Sequence, residues 1–158
     1  MSEVGNKTRR IFAGTVQSTV DGQHRVTMPK IWRLPSDTPE TAFFLVPGPH
    51  HRIIIVTEED MAGFYDKILG NVSFSSGDDV ASLEDVASKM QMVNLDKQGR
   101  FAINKWLLDY TGIGDMAVFK GAYRYATITS PEFAAMTDGP APKASSMALF
   151  DTLMKKES

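Results

Sequence analysis

Two copies of one short segment carry the residues of this chain with the most evident binding chemistry. The first copy runs from Val20 to Trp32, and the second from Leu95 to Leu107. Each copy has an aspartate followed four residues later by an arginine, namely Asp21 with Arg25 and Asp96 with Arg100. A guanidinium is a planar donor that binds a phosphate, or the O6/N7 edge of guanine, through two hydrogen bonds.

The two copies agree at further positions. Polar identity is kept in Gln23/Gln98 and Lys30/Lys105, and apolar character is kept in Val20/Leu95, Val26/Phe101, Met28/Ile103 and Ile31/Trp106. An internal repeat indicates repeated structural units, but two copies are too few for a solenoid. The repeat therefore predicts a pseudo-two-fold arrangement in which neither half buries its own apolar face.

The elements that position the first copy read as a β-hairpin. Residues 12–20 alternate loosely between polar and apolar side chains, as in a half-buried strand. Asp21-Gly22-Gln23-His24 is typical of a turn, and Val26 and Met28 resume the alternation after it. Pro29 cannot donate to a strand ladder and closes the predicted hairpin.

A second module follows the predicted hairpin. Residues 43–46 and the β-branched run 53–56 predict two strands, with a turn at Pro47-Gly48-Pro49 between them. Thr57 predicts a helix N-cap, because three acidic residues follow it in the first turn of the helix. The apolar stripe of that helix ends at Leu69, and Gly70 is expected to stop it.

The second half replays this order. We expect a strand over 92–94 and a turn at Asp96-Lys97-Gln98-Gly99. A short helix over 105–110 follows, ending at Gly112. Strands are expected at 117–119 and 125–129, with Gly121 in the turn between them. Ser130 and Pro131 then predict a helix start.

The chain accordingly divides into two similar halves with two connecting parts. Residues 11–72 form the first half, and residues 73–89 form a linker with a connecting helix predicted over 80–90. Residues 90–137 form the second half, and residues 138–158 form a flexible tail with a short amphipathic helix over 147–156.

Composition indicates an ordinary globular protein of 158 residues, with 42% hydrophobic and 23% charged residues. The chain has no cysteine, which excludes disulfides, cysteine zinc sites and thiol catalysis. We find no signal peptide and no apolar run long enough for a membrane span, so a cytoplasmic location is expected. The net charge is −2, yet the first 33 residues are basic and begin with an arm, residues 1–10, that contains Lys7, Arg9 and Arg10.

Two modules that each open with an Asp-x-x-Gly-Arg type of turn resemble the MraZ family of bacterial transcriptional regulators, within the SpoVT–AbrB class of DNA-binding domains. The resemblance covers about residues 11–136. It is carried by Asp21, Arg25, Val26, Met28 and Pro29 in the first half, by Asp96, Gly99, Arg100, Phe101 and Ile103 in the second, and by the Phe12-Ala13-Gly14 opening. The sequence departs from the family pattern where Gln23 and Gln98 replace the motif lysines, where His24 replaces the first glycine, and where Ala13 replaces an arginine.

The resemblance implies an α+β, mainly β fold in which two pseudo-symmetric halves form an intertwined double-split β-barrel with flanking helices. It also implies ring-shaped, octamer-like homo-oligomers that bind repeated elements of double-stranded DNA in promoters ahead of a division and cell-wall gene cluster, in association with the nucleoid. No cofactor, small-molecule substrate or membrane is implied.

The implied DNA contacts are side chains in and around the two turns: Arg25, Arg100, His24, Gln23, Lys97, Lys30 and Lys105. Asp21, Asp96 and Gly99 are the structural residues of the turns. Arg25 ranks first among the contacts because it lies in the more basic half. For Arg100, a structural pairing with Asp96 stays open, and Lys30 and Lys105 are equally well explained as exposed lysines at helix starts.

Three other interpretations remain. The same fold could serve as an oligomeric scaffold that does not bind DNA, its charged motif eroded at Gln23, His24 and Gln98. A hydrolase would need a nucleophile or a metal constellation, and the sequence offers none that we recognise, so we expect no enzymatic activity. His50 and His51 are adjacent in a turn and lack the facing geometry of a metal site.

Overall fold

The computed structural model describes residues 9–156, which form an α+β fold with a mostly antiparallel sheet. This confirms the predicted fold class at that level. The strands are β1 Thr15–Thr19, β2 Arg25–Thr27, β3 Ala42–Gly48, β4 Arg52–Thr57, β5 Gln91–Asn94, β6 Arg100–Ala102, β7 Met116–Ala122 and β8 Tyr125–Thr129. The helices are α1 Glu58–Asn71, α2 Gly77–Ala87, α3 Lys105–Thr111, α4 Pro131–Thr137 and α5 Ala144–Lys156, and Lys30–Trp32 form a 3-10 turn.

The two halves exchange strands. The larger sheet has the order β1-β7-β8-β4-β3-β5, and the smaller sheet pairs β2 with β6. The first strand of each half therefore pairs with a strand of the other half, β1 with β7 and β5 with β3, and all of these pairs are antiparallel. The larger sheet ends at β1 and β5 and does not close on itself. Neither half is complete alone, as the repeat predicts.

The predicted β-hairpin of the first copy is wrong, although its turn is present. β1 and β2 do not pair with each other. Instead β2 pairs with its repeat equivalent β6, with Val26 opposite Phe101 at the centre of the register. Both of these side chains are buried. Apolar alternation fixes which face of a strand is buried, but it does not specify the partner strand, and here burial is achieved between the copies.

The two predicted turns between paired strands are present, but they lie at 49–51 and 123–124, after the glycines that were expected in them. Pro47 and Gly48 belong to β3, and Gly121 belongs to β7. β5 covers β3 only as far as Leu45, so Pro47 has a single strand neighbour, which is the edge setting in which proline is tolerated. The two glycines are needed for close contact instead, because a Cβ on Gly48 would meet Ile54 and one on Gly121 would meet the backbone of Phe12.

The helix ends follow the capping signals closely. The side chains of Thr57 and Ser130 cap their helices as predicted, and each accepts a hydrogen bond from the backbone N–H of the residue three positions later. Gly112 ends α3 with a φ of 73°. Helix α1 continues through Gly70 to Asn71, since a helical glycine costs only about 1 kcal/mol and does not by itself end a helix. Helix α2 begins at Gly77 after an N-cap at Ser76, and α5 begins at Ala144, both three residues earlier than predicted.

The core lies between the two sheets' inner faces and is centred on Trp32. Phe12 and Phe119 contact the Trp32 indole edge-on. By contrast, the second tryptophan, Trp106, is 41% exposed and stacks on Tyr110. The apolar stripe of α1, including Tyr65 at 62% exposure, is not part of this core.

No helix within residues 9–156 is long and apolar enough to cross a membrane. Residues 1–8 of the predicted basic arm lie outside the described part of the chain.

Candidate nucleic-acid interface

The first turn is organised by the carboxylate of Asp21. Its Oδ1 accepts hydrogen bonds from the backbone N–H groups of Gln23 and Arg25, both at 2.9 Å. Its Oδ2 accepts a hydrogen bond from Nε of Arg25 at 2.8 Å. The turn is closed by a backbone bond from Asp21 N–H to the carbonyl of Arg25, at 3.0 Å. One aspartate thus fixes both the backbone of the turn and the direction of the arginine.

The second turn has the same geometry. Oδ1 of Asp96 accepts from the backbone N–H groups of Gln98 and Arg100, both at 2.9 Å, and Oδ2 accepts from Nε of Arg100 at 2.9 Å. The repeated spacing of aspartate and arginine therefore has a structural meaning in both halves. The pairing of Arg100 with Asp96, left open by the sequence, is present, and Arg25 is paired with Asp21 in the same way.

Pairing through Nε leaves the outer edge of each guanidinium for other contacts. Each of the two arginine side chains is 31% exposed. Within residues 9–156, Arg25 and Arg100 make side-chain hydrogen bonds through Nε, and none through their Nη atoms. The aspartates consequently orient the arginines without using all of their donors.

The same contacts lower the pKa of both carboxyl groups. The hydrogen bond from the Arg25 backbone, with those from the Arg25 side chain and the Gln23 backbone, outweighs partial burial and lowers the pKa of Asp21 from 3.8 to about 2. The backbone hydrogen bond from Arg100 makes the largest contribution to lowering the pKa of Asp96. Both groups stabilise the folded chain in their ionised form.

Acid should therefore weaken the fold through these turns. A carboxylate whose pKa is depressed by folding stabilises the protein above its unfolded pKa, and the stabilisation is lost as the pH falls toward the folded value. We expect the free energy of unfolding to fall between about pH 4 and pH 2, and to fall less in the double variant Asp21→Asn/Asp96→Asn. Urea denaturation at a series of pH values measures this, and parallel pH profiles for the two proteins would contradict it.

The pairing of β2 with β6 places each turn beside the other copy. The backbone N–H of Met28 donates to the carbonyl of Gly99 at 2.8 Å, and the N–H of Ile103 donates to the carbonyl of His24 at 2.9 Å. Lys30, near the end of the first copy, consequently lies near the second turn. The two turns therefore share one region of the molecule, which the sequence alone did not place together.

A cleft of about 510 Å³ opens beside the second turn. Lys97 and Gly99 of the turn line one part of it, and Lys30, Arg33 and the loop around Pro35 line another. Arg33 was not among the predicted site residues. It lies after the repeated motif, and its approach to the second turn depends on the pairing of β2 with β6, for which the sequence gives no direct signal.

Gly99 and His24 occupy equivalent positions and both have positive φ, 81° and 62° respectively. The Arg33 guanidinium lies against Gly99, where a Cβ would overlap it. The residue that matches Arg33 in the repeat is Leu108. His24, which has a side chain at this position, adopts a left-handed backbone at a cost of the order of 1–2 kcal/mol.

The remaining predicted contacts are all at the surface. Gln23, His24, Lys97, Lys30 and Lys105 are exposed. Lys105 forms an ion pair with Asp109 at 2.9 Å, one helical turn away. This pairing supports the alternative of an ordinary helix-start lysine for Lys105, whereas Lys30 forms no ion pair within the described residues.

Arg10 is not part of an arm. It pairs with both carboxylate oxygens of Asp37, at 2.9 and 2.7 Å, and donates to the carbonyl of Trp32 at 2.7 Å. Burial raises the pKa of Asp37, but the hydrogen bonds from the Arg10 side chain and the Leu34 backbone outweigh it and leave the pKa lowered. The prediction that residues 1–10 are uniformly flexible is thus wrong for Arg10, which fixes one wall of the cleft.

The histidine pair is accounted for by packing. His51 stacks on Tyr110, and its Nδ1 lies 2.9 Å from the Tyr110 carbonyl oxygen. Residues 9–156 contain no group of three or more histidine or acidic side chains placed to hold a metal ion.

No protein-family model and no curated protein matches this chain. The geometry of the two turns and the charges around them are therefore the basis for the functional inference.

Proposed function

We propose that this chain is a DNA-binding transcriptional regulator of the MraZ type, which acts as a ring-shaped homo-oligomer on repeated promoter elements ahead of a division and cell-wall gene cluster. The observation that carries the proposal is the pair of turns, identical in hydrogen bonding and joined through β2 and β6. Such an arrangement presents two oriented arginines from one region of each subunit. Arginine is the residue most often used for paired hydrogen bonds to guanine.

The exchange of β1 and β5 between the halves supports the intertwined double-split barrel as the finer description of the fold. In that description the barrel forms from the two halves of one subunit and the helices lie outside it. A fold of this kind keeps the two turns on a rigid base, because each is tied to the opposite half through backbone hydrogen bonds. Rigid placement reduces the entropy lost when side chains bind a ligand.

Assembly is supported by apolar side chains that the single chain leaves exposed. On α1 these include Phe64, Tyr65, Ile68 and Leu69, and on α5 they include Met147, Leu149, Phe150, Leu153 and Met154. Monomeric proteins rarely leave large contiguous apolar patches in water. A ring also compensates for the net charge of −2, because several weak contacts to repeated DNA sites become effectively intramolecular after the first.

The proposal predicts salt-dependent binding to promoter DNA that needs both arginines. We expect the purified protein to bind a fragment from upstream of its own gene, with affinity that falls steeply as salt rises. The double variant Arg25→Ala/Arg100→Ala should lose about 10-fold or more, since each good contact of arginine with guanine contributes about 1–3 kcal/mol. Fluorescence anisotropy with labelled DNA at two salt concentrations measures both effects.

Two controls make the outcome decisive. The mass of the particle and the thermal unfolding of the variant should match those of the unmutated protein, so that a loss of binding is not a loss of assembly. A fully assembled, unmutated protein that fails to bind even at low salt would overturn the proposal.

The second candidate function is an oligomeric scaffold of the same fold that does not bind DNA. It is favoured by one observation, namely that Arg25 and Arg100 each already have a carboxylate partner. An exposed ion pair of this kind contributes little to stability, so an arginine can exchange part of it for phosphate or base contacts. The experiment above separates the two functions, because only a regulator should bind DNA in the assembled state.

A further inference from the structure

The two turns differ in the charge of their surroundings, although their own hydrogen bonding is the same. Lys97 belongs to the second turn, Arg33 lies against Gly99 of that turn, and Lys30 lines the same cleft. In the other copy of the repeat, the residues that match Lys97, Lys30 and Arg33 are Gly22, Lys105 and Leu108 respectively. The pseudo-symmetry of the backbone is thus not shared by the charges.

The negative groups in the cleft are already used. Asp96 holds Arg100, at 2.9 Å, and Asp37 holds Arg10, at 2.7 Å. Lys30, Arg33 and Lys97 form no ion pair within residues 9–156. Arg33 is close enough to Asp37 for its charge to help lower the pKa of that carboxyl. Because Asp37 and Asp96 are each in an ion pair with another arginine, Lys30, Arg33 and Lys97 leave an excess of positive charge among the described residues of the cleft.

Arg33 is held in an unusual state for a guanidinium. It lies against the backbone of Gly99, and its Nε is buried without a hydrogen-bond acceptor in the described structure. A buried donor without a partner is costly, and the cost is relieved when the group turns to an acceptor. A phosphate oxygen in the cleft is an acceptor of the strongest kind for arginine.

The surroundings of the first turn offer much less. Lys105 is paired with Asp109 at 2.9 Å, and Leu108 is buried and apolar. Among residues 9–156, these two matched positions therefore add no unpaired cation to Arg25.

We propose that the cleft beside the second turn, lined by Lys30, Arg33 and Lys97, is the main binding site of the chain for the phosphodiester backbone of DNA. This inference rests on the proposed function and reverses the predicted ranking of Arg25 over Arg100. Strand exchange is the reason, because it carries the basic residues of the first half to the turn of the second. Arg100 then lies next to the anchored phosphates, and Arg25 is the more peripheral contact.

The matched variants Lys30→Gln and Lys105→Gln test the inference, because the two lysines are equivalent in the repeat and lose the same charge. Each phosphate contact contributes about 0.9 to the slope of log affinity against log salt. We expect Lys30→Gln to reduce that slope by about 0.9 for each occupied cleft, and Lys105→Gln to reduce it by less. DNA binding is measured by anisotropy between 50 and 200 mM salt, the range over which about one such contact changes affinity by roughly 3-fold.

A second arm identifies the ligand group. Phosphate contacts carry no sequence information, so Lys30→Gln should weaken binding equally to the promoter fragment and to an unrelated duplex of the same length. A loss confined to the promoter fragment would mean a base contact and would overturn the phosphate assignment. Lys97→Gln is a further substitution of an exposed cleft cation, and we expect it to reduce the slope as Lys30→Gln does.

Equal slopes for the two lysine variants, or a larger loss for Arg25→Ala than for Arg100→Ala, would overturn this inference while leaving DNA binding intact. Absence of DNA binding by the unmutated assembly would overturn the proposed function and this inference together.

Discussion

Replacement of Trp32 by alanine is expected to lower the free energy of unfolding by about 3–5 kcal/mol, which is the usual loss for a large aromatic side chain removed from a core. The indole is 1% exposed, and its Nε1 donates to the carbonyl of Ala13 at 2.8 Å. Phe12 and Phe119 contact it edge-on, with ring centroids 5.2 and 6.1 Å away. Removal leaves a cavity and an unpaired carbonyl, and both phenylalanine rings lose an edge-on contact. Urea denaturation followed by far-ultraviolet circular dichroism measures the loss.

Trp106 is the matched control for this prediction. It is 41% exposed and contacts Tyr110 by stacking, with ring centroids 5.0 Å apart. The variant Trp106→Ala removes the same atoms from a half-exposed site, where a stacked pair adds about 0.5–1.5 kcal/mol beyond the area that it buries. Comparable losses in the two variants would contradict the assignment of Trp32, and not Trp106, to the centre of the core.

The position of Trp32 explains why the loss should affect both halves. The residue belongs to the first copy of the repeat, whereas Phe119 belongs to β7 of the second half. β7 in turn pairs with β1 of the first half. Trp32 of the first half thus packs against a strand of the second half that pairs with β1. A cavity at Trp32 therefore weakens the contact between the halves as well as each half itself.

Local features of the fold could be predicted from the sequence because they depend on neighbouring residues. The N-caps at Thr57 and Ser130 and the C-cap at Gly112 follow from side-chain and backbone chemistry within one helical turn. The turn at Asp21 follows in the same way, since its hydrogen bonds reach no further than Arg25.

The pairing of strands could not be predicted, because it depends on residues far apart in the chain. β2 and β6 are three residues long and each has a single central buried residue, Val26 and Phe101. A pattern that short is satisfied equally well by a hairpin partner and by the other copy of the repeat. The roles of Gly121 and Arg33 depend on that choice, so both were missed.

Only the local part of the candidate site could be predicted from the sequence, because the rest also depends on strand pairing. The repeat identified both aspartate–arginine pairs, and the sequence left the pairing of Arg100 with Asp96 open. What the sequence could not provide was the neighbourhood of each turn. Lys30 and Lys105 match in the repeat, yet one lies beside a cationic cleft and the other is paired with Asp109. Residues outside the two copies, such as Arg33 and Asp109, therefore give the two matched lysines different surroundings.

Replacement of Gly121 by alanine is the second substitution with a large expected effect. Gly121 lies in β7 where the chain before β1 crosses it, and an added Cβ would lie 2.5 Å from the carbonyl carbon of Phe12 and 2.6 Å from the backbone nitrogen of Ala13. Backbone atoms cannot rotate away as a side chain can. The clash should break the hydrogen bond from Gly121 N–H to the carbonyl of Gly14 and the paired bonds between Phe12 and Tyr123, all 2.8 Å long. We expect a loss of about 3 kcal/mol in the free energy of unfolding, at the upper end for overpacking.

The control for this substitution is the same change at Gly63, within α1. Nothing lies within 4 Å of a Cβ at Gly63, and alanine is favoured over glycine in a helix by about 1 kcal/mol. One added methyl group should therefore destabilise the chain at Gly121 and stabilise it at Gly63, a difference in sign that urea denaturation resolves. Unchanged stability in Gly121→Ala would mean that the segment before β1 is not packed on β7. In that case the packing of Phe12 on Trp32, and the pairing of the segment before β1 with β7, would be contradicted.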